Sequence, residues 1–403
     1  MATFKTIDDL DPAQQLLIRI DINAPVEDGA VQDNRRFARH AETIAELLDD
    51  DHAVAVLAHQ GRPGRDTFVS LEQHADILAD HLDTEVGFVD DTFGEDALEA
   101  IDALDSGDVL VLENARMCDK ELPEEEPEVK AETEFVQTLA PEFDAYLNDA
   151  YSAAHRSHAS LVGFPLVMDA YAGRVMETEY TANSAIQERE FDGTVTMALG
   201  GTKAEDLIPV IEQVDDTVDR FCLGGIVGEL FLRAAGHDVG YDVDGTEFFD
   251  HQWENHQETI ERVLDEYGDR LLLASDLAFE DDDGERAEAA VDEIEKETSY
   301  LDVGSDTAAE YADLVRDSEA VFVKGALGVF EDERFSDGTV EVLSAIAETD
   351  CFSVVGGGDT SRAIGMYGLD EDDFSHVSVA GGAYVRALTG ASLVGVEALE
   401  RDD

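Results

Sequence analysis

The sequence predicts an α/β protein in which parallel sheets are covered by helices. Short apolar, β-branched runs recur along the whole chain, amphipathic runs of helical period lie between them, and glycine marks the ends of many of the apolar runs. Strands are expected over residues 15–22, 53–58, 85–89, 108–112 and 145–148 in the first half. In the second half they fall at 194–199, 220–223, 270–273, 320–323 and 351–355. Each is short and apolar enough to be buried on both faces, as a parallel sheet requires. Helices are expected over 71–81, 133–139, 205–214, 250–267, 306–316 and 338–349, where apolar residues return every three or four positions. At 403 residues the chain exceeds one ordinary core. The two halves share a plan, and residues 162–178, followed by a long polar helical stretch, read as the hinge between two domains.

Charge narrows the function classes. Asp and Glu number 95 against 26 Lys and Arg, giving a formal net charge of −69 spread along the chain. With 44% hydrophobic residues and regular apolar segments, this is a folded chain rather than an acidic disordered one. A carboxylate surface of this density suits very high salt, where self-repulsion is screened within a few ångströms. Nucleic acid is excluded as a partner, because phosphate backbones need a basic surface. Cys118, Cys222 and Cys351 are too few and too widely spaced for a disulfide framework or a metal motif. Neither a leader-like apolar start nor a membrane-length apolar window is present, so a soluble cytoplasmic protein is expected.

In open parallel sheets, ligands sit outside the carboxyl ends of the strands. In the first half every such end but one carries an arginine in or near its loop: Arg19, with Arg36 opening the next helix, then Arg62, Arg116 and Arg156. One arginine alone is a surface ion-pair partner in so acidic a chain. Five on one edge make a site for a small, multiply charged anion, since guanidinium grips carboxylate and phosphate in a bidentate fork. The second half carries glycine at its strand ends instead: Gly200-Gly201-Thr202-Lys203, Gly224-Gly225, Lys324 to Glu331, and Gly356-Gly357-Gly358-Asp359-Thr360. Bare backbone at a helix start admits a phosphate chain, with Lys203 as point charge, Glu331 as a ribose acceptor and Asp359 as a Mg²⁺ ligand. The triple glycine also reads as a tight βα turn with Asp359 as an N-cap. An anion domain and a nucleotide domain together imply phosphoryl transfer.

At this point the residues resemble a known family, the phosphoglycerate kinases. Arg19 to Pro25 is similar to their R-x-D-x-N-x-P opening, Ala58 to Pro63 to H-x-G-R-P and Glu113 to Arg116 to E-N-x-R. Asn148 to Ala159 resembles N-D-A-x-x-x-A-H-R-x-H-A, and the glycine segments follow in family order up to His376–Gly382. The resemblance covers essentially the whole chain. It implies two Rossmann-like domains with parallel sheets facing each other across a hinge cleft. Their bounds would be 1–170 with a returning tail at about 385–403, and 171–384. It further implies a monomer that transfers a phosphoryl group between ATP and 3-phosphoglycerate, giving ADP and 1,3-bisphosphoglycerate, with Mg²⁺ carried on the nucleotide.

Carried over by position, Asp21, Asn23, Arg36, His59, Arg62, Arg116 and Arg156 would hold the phosphoglycerate. Lys203, Gly225, Glu331, Gly357, Gly358, Asp359 and Thr360 would face the nucleotide, with Asp359 as the metal ligand. Arg36, Lys203, Gly357 and Gly381 would act on the transferring group. Three departures stand out. The family's second lysine, four residues after the first, is Leu207; its N-G-P-M-G reads Lys324-Gly325-Ala326-Leu327-Gly328; and its last triple glycine reads Ala380-Gly381-Gly382. Lys324 would then replace the charge absent at Leu207. A catalytically impaired nucleotide-binding homologue and a phosphotransferase acting on another carboxylate are the alternatives.

Overall fold

The computed structural model describes residues 4–239, 248–294 and 298–400. By its internal contacts the chain forms two units. One takes the chain up to Thr181 and picks it up again from Ser392; the other runs Ala182–Ala391.

The first unit is a six-stranded sheet of β1 (Gln15–Arg19), β2 (Ala53–Leu57), β3 (Val86–Val89), β4 (Val109–Leu112), β5 (Ala145–Asn148) and β6 (Ala170–Ala172). Their order is β3-β4-β2-β1-β5-β6, and every neighbouring pair is parallel. Period-two alternation explains why the strands are apolar throughout. Leu16, Ile18, Val54 and Val56 pack on one face with Phe37, Ile44 and Leu78 of helices α1 (Arg35–Asp49) and α2 (Glu72–Leu82). Leu17, Ala55 and Leu57 pack on the other face with Phe135, Leu139 and Phe164. Each fully buried Leu or Phe contributes about 1.5–3 kcal/mol of transfer free energy, so both faces are needed to hold the sheet. The stretch read as a hinge begins with a short 3₁₀ turn, Phe164–Leu166. β6 extends this sheet, and a helix, α3 (Arg174–Glu188), follows it. The start of α3 is held by Asp149, which accepts from the Val175 and Met176 amides at 2.8 and 3.1 Å.

The second unit repeats the plan. β7 (Val195–Leu199), β8 (Arg220–Leu223), β9 (Leu271–Leu272), β13 (Ala320–Lys324), β14 (Phe352–Gly356) and β15 (His376–Val377) form a parallel sheet in the order β9-β8-β7-β13-β14-β15. The remaining strands, β10 (Asp276–Glu280), β11 (Arg286–Ala290) and β12 (Tyr300–Val303), make a separate antiparallel ladder. Alternating strands and helices did not predict this ladder. The β11 sequence R-A-E-A-A has no residue of high strand propensity and depends on its partners. Every expected helix forms within two residues of its expected start: Glu72–Leu82, Glu134–Leu139, Ala204–Gln213, Phe248–Tyr267, Ser305–Arg316 and Asp337–Ala347. All three cysteines are free thiols. Among the described residues no helix is long and apolar enough to cross a membrane.

Candidate active site

Each sheet changes winding direction beside its first strand, and a cavity opens at the strand carboxyl ends there, as the topology demands. In the first unit the turn falls at β1, between β2 and β5. The cleft above it brings together Asp21, Asn23, Arg36, His59, Arg62, Arg116 and Arg156, drawn from loops far apart in sequence.

Local chemistry places these side chains. Asn34 caps α1 by accepting from the Arg36 amide at 2.9 Å, which fixes Arg36 in the first turn. Its guanidinium donates to Asp21 Oδ2 at 3.0 Å and to the Asn23 carbonyl at 3.3 Å. Asp21 also accepts from the Ser152 hydroxyl. Burial works to raise the Asp21 pKa, but Arg36, Ser152 and Arg19 outweigh it and hold the carboxyl well below the usual range. Behind it, the Asp21 amide donates to His40 Nε2 at 3.2 Å, and His40 Nδ1 meets Asp149 at 2.8 Å. One carboxylate, Asp149, therefore supports both this loop and the start of α3. Asn23 Oδ1 accepts from the Gly61 amide at 2.8 Å, tying the β1 and β2 loops together. Arg116 sits in a short 3₁₀ turn capped by Asn114, whose side chain accepts from the Arg116 amide at 3.1 Å.

The arginine set differs from expectation in one member. Arg19 is fully buried and does not line the cleft. Its side chain donates to Ser160 Oγ at 2.8 Å and to the Ile20 carbonyl, and its Nη2 lies 2.8 Å from His59 Nδ1. Arginine has only donors, so His59 Nδ1 accepts and Nε2 carries the hydrogen. Burial lowers the His59 pKa well below the usual histidine value, and Arg19 and Arg116 reinforce this against the pull of Asp21; the ring is neutral. Arg65 lines the cleft in Arg19's place. The signal was there, since Arg62-Pro63-Gly64-Arg65 puts a second arginine in the same turn. Burial, with repulsion from Arg19 and Arg156, brings Arg116 down to about 10. This cleft holds more positive charge than its own carboxylates relieve.

In the second unit the turn in winding lies at β7, between β8 and β13. A cavity of ≈ 310 Å³ opens there, within the size range of small-molecule sites. Its floor is Gly201, Gly224, Gly225 and Gly328, with Glu331 and Asp359 at its edge. Gly225 has φ +58°, and a Cβ on it would come within 2.8 Å of the Gly201 nitrogen, so only glycine lets the two loops close. Its walls are apolar: Leu232, Phe249, Leu277, Tyr300 and Val329. Leu277 and Tyr300 come from the antiparallel ladder, which is why sequence reasoning missed them. Glu229 and Asp302 are further acidic members that were missed. Burial pushes Asp302 up to about 7, against Arg286 at 3.2 Å and the amides of Gly338 and Val303.

The three consecutive glycines have three different reasons. Gly356 ends β14 with the Tyr384 ring pressed where its Cβ would be. Gly357 has φ +109° and is the N-cap of α4 (Gly358–Met366). Gly358 faces open space. Asp359 is therefore an exposed first-turn residue and not the N-cap. Thr360 is buried, with its hydroxyl 3.4 Å from the Gly356 carbonyl. Lys203 is an exposed N-cap of the helix Ala204–Gln213, and Gly381 is the N-cap of Gly382–Leu388. Neither lines the cavity, nor do Gly357, Gly358 and Thr360, although those three share the Asp359 turn. Glu331 pairs with Arg362.

A family model described as "Phosphoglycerate kinase" matches residues 7–391. The chain is 71% identical over 400 residues to the phosphoglycerate kinase of Haloarcula marismortui, covering 99% of this chain and 100% of that one. It is 70% identical over 401 residues to that of Halorubrum lacusprofundi, covering 99% and 98%. The crystal structure of the phosphoglycerate kinase from Pyrococcus horikoshii OT3 superposes with a TM-score of 0.90 at 32% identity over 98% of each chain.

Proposed function

The chain belongs to the phosphoglycerate kinase family, and from that premise we propose a reversible phosphoryl transfer between ATP and the carboxylate of 3-phosphoglycerate, giving ADP and 1,3-bisphosphoglycerate. The observation that carries the reading is charge left unspent. In a chain with 95 acidic residues, Arg62, Arg65 and Arg116 share one cleft and, among the described residues, none has a carboxylate at ion-pair distance. Such a cluster needs an anion from outside the protein.

In this reading Arg62, Arg65, Arg116 and Arg156 grip the phosphate of the acid. Asp21, Asn23 and neutral His59 set the hydroxyl and carboxylate ends, with His59 Nε2 donating. Arg36, held in place by Asp21, donates to the group in flight. The glycine-floored cavity takes the nucleoside, its apolar walls the base and the turns carrying Lys203, Gly225, Gly357, Gly358 and Thr360 the phosphates. Glu331 accepts from the ribose. Gly381, the N-cap of its helix, adds backbone donors to the phosphoryl group. Mg²⁺ fits at Asp359: one exposed carboxylate at a helix start is the donor set expected of an ion that takes its other ligands from phosphate and water. Among the described residues no group of three or more His, Cys, Asp or Glu is placed to hold a metal by itself. That ion would neutralise phosphate charge. The attacking carboxylate is already ionised, so neither a general base nor a covalent enzyme intermediate is required; alignment and charge neutralisation do the work.

The same proposal makes the protein a cytoplasmic monomer working at high salt, in keeping with the −69 charge and with the halophilic sources of its relatives. A coupled assay in multimolar KCl, with and without Mg²⁺, tests the function. Turnover of ATP with 3-phosphoglycerate that stops on chelation is expected. No turnover with that acid, or equal turnover with unphosphorylated acids, refutes it.

A further inference from the structure

Lys324 is one of six lysines in the chain and the last residue of β13, the strand flanked by the two glycine turns. Its carbonyl accepts from the Gly200 amide at 2.9 Å, and its register partners are Leu199 on one side and Gly356 on the other. The side chain is mostly covered, and a Cβ placed on Gly357 would lie 3.5 Å from its ammonium nitrogen. Asp206 and Asp359 attract it from a distance and Lys203 repels it. Yet among the described residues none gives the ammonium an ion pair or a hydrogen bond. In a chain with nearly four acids per base, a mostly covered cation without a contact partner is held back for something else. Its surroundings name the ligand class: the positive-φ turn at Gly357, the open start of α4 and the Asp359 carboxylate are features of a polyphosphate–Mg²⁺ site.

We infer that Lys324 is a catalytic residue whose ammonium neutralises the phosphoryl group as it transfers. This deepens the proposed function and rests on it. In the step, a carboxylate oxygen of the acid forms a bond to the γ-phosphorus while the bond from that phosphorus to the β,γ-bridging oxygen breaks. The electron pair stays on the departing ADP oxygen, and no proton is lost by Lys324. Leu207, one turn after Lys203 and next to Asp206, is buried and apolar, so that turn of the helix supplies no second cation.

The test uses the full chain in multimolar KCl with MgATP and 3-phosphoglycerate, read as separate kcat and KM values alongside melting temperature. Wild-type turnover is read first, since its absence refutes the functional proposal and not this one. With an active wild type, Lys324→Met is expected to lower kcat by about a hundredfold to a thousandfold, the usual loss for one transition-state donor. KM for both substrates should stay within about threefold and melting be preserved, because the interaction is made in the transition state. A kcat near wild type, or a loss that appears as raised KM for ATP, overturns the assignment. So does a loss that tracks lowered melting. If Lys324→Met does not fold, Lys324→Gln is judged by the same readings.

Discussion

Arg116 gives the sharpest test of the anion cleft, because its placement is unfavourable until a ligand arrives. Burial and the neighbouring Arg19 and Arg156 bring its pKa down from the ordinary arginine value to about 10. At roughly 1.4 kcal/mol per tenfold, the charged side chain therefore sits about 3 kcal/mol uphill in the empty protein. The folded protein binds this proton less tightly than the unfolded chain. The cost is thus full below about pH 10 and fades only as pH rises above it. Replacing Arg116 by Met removes that cost but strands the Gly61 carbonyl that its Nη1 serves, a loss of about 1 kcal/mol. The ligand-free variant should melt no lower than wild type, and up to several degrees higher. Binding moves the other way: losing a charge-assisted hydrogen bond worth about 1.5–3 kcal/mol should raise KM for 3-phosphoglycerate by roughly tenfold to a hundredfold. Steady-state kinetics and ligand-free melting in multimolar KCl measure both. An unchanged KM, or a variant that loses melting temperature in step with affinity, refutes the reasoning.

At the triple glycine, Gly356→Ala drives a methyl into the Tyr384 ring and should cost about 2–3 kcal/mol. Gly358→Ala, facing open space at a helix start, should be neutral or stabilising; equal melting of the two variants would contradict the packing. His74 is fully covered and lowered by burial to about 4. The unfolded chain takes up a proton between pH 6.5 and about 4 that the fold refuses, and stability falls by about 3 kcal/mol as pH drops through that window. His74→Gln, able to keep the bond to Gln60, should flatten the dependence of the denaturation midpoint on pH; an unaltered slope counts against it. Dilution from molar salt to dilute buffer should abolish the folded circular dichroism spectrum, since screening of the −69 charge is lost; a spectrum that survives dialysis would refute that.

Much of this protein is legible in its sequence. Buried parallel strands must be apolar on both faces, so runs such as A-V-A-V-L at Ala53–Leu57 announce themselves without help from the rest of the chain. Scarcity narrowed the function classes: with so few bases, arginines at several strand ends stand out as a set, where one alone would not. Tertiary structure decided what depends on distant partners. Arg19 turned inward because Ser160, 141 residues away, and His59 receive its donors, while Arg65 took the open position. Gly356 is small because the Tyr384 ring lies against it, a contact no local pattern encodes. The antiparallel ladder, whose weak β11 strand exists through its neighbours, supplies the apolar wall of the second cavity. Local propensity and composition act along the chain, whereas the inward or outward fate of a charge is settled by what packs against it from elsewhere.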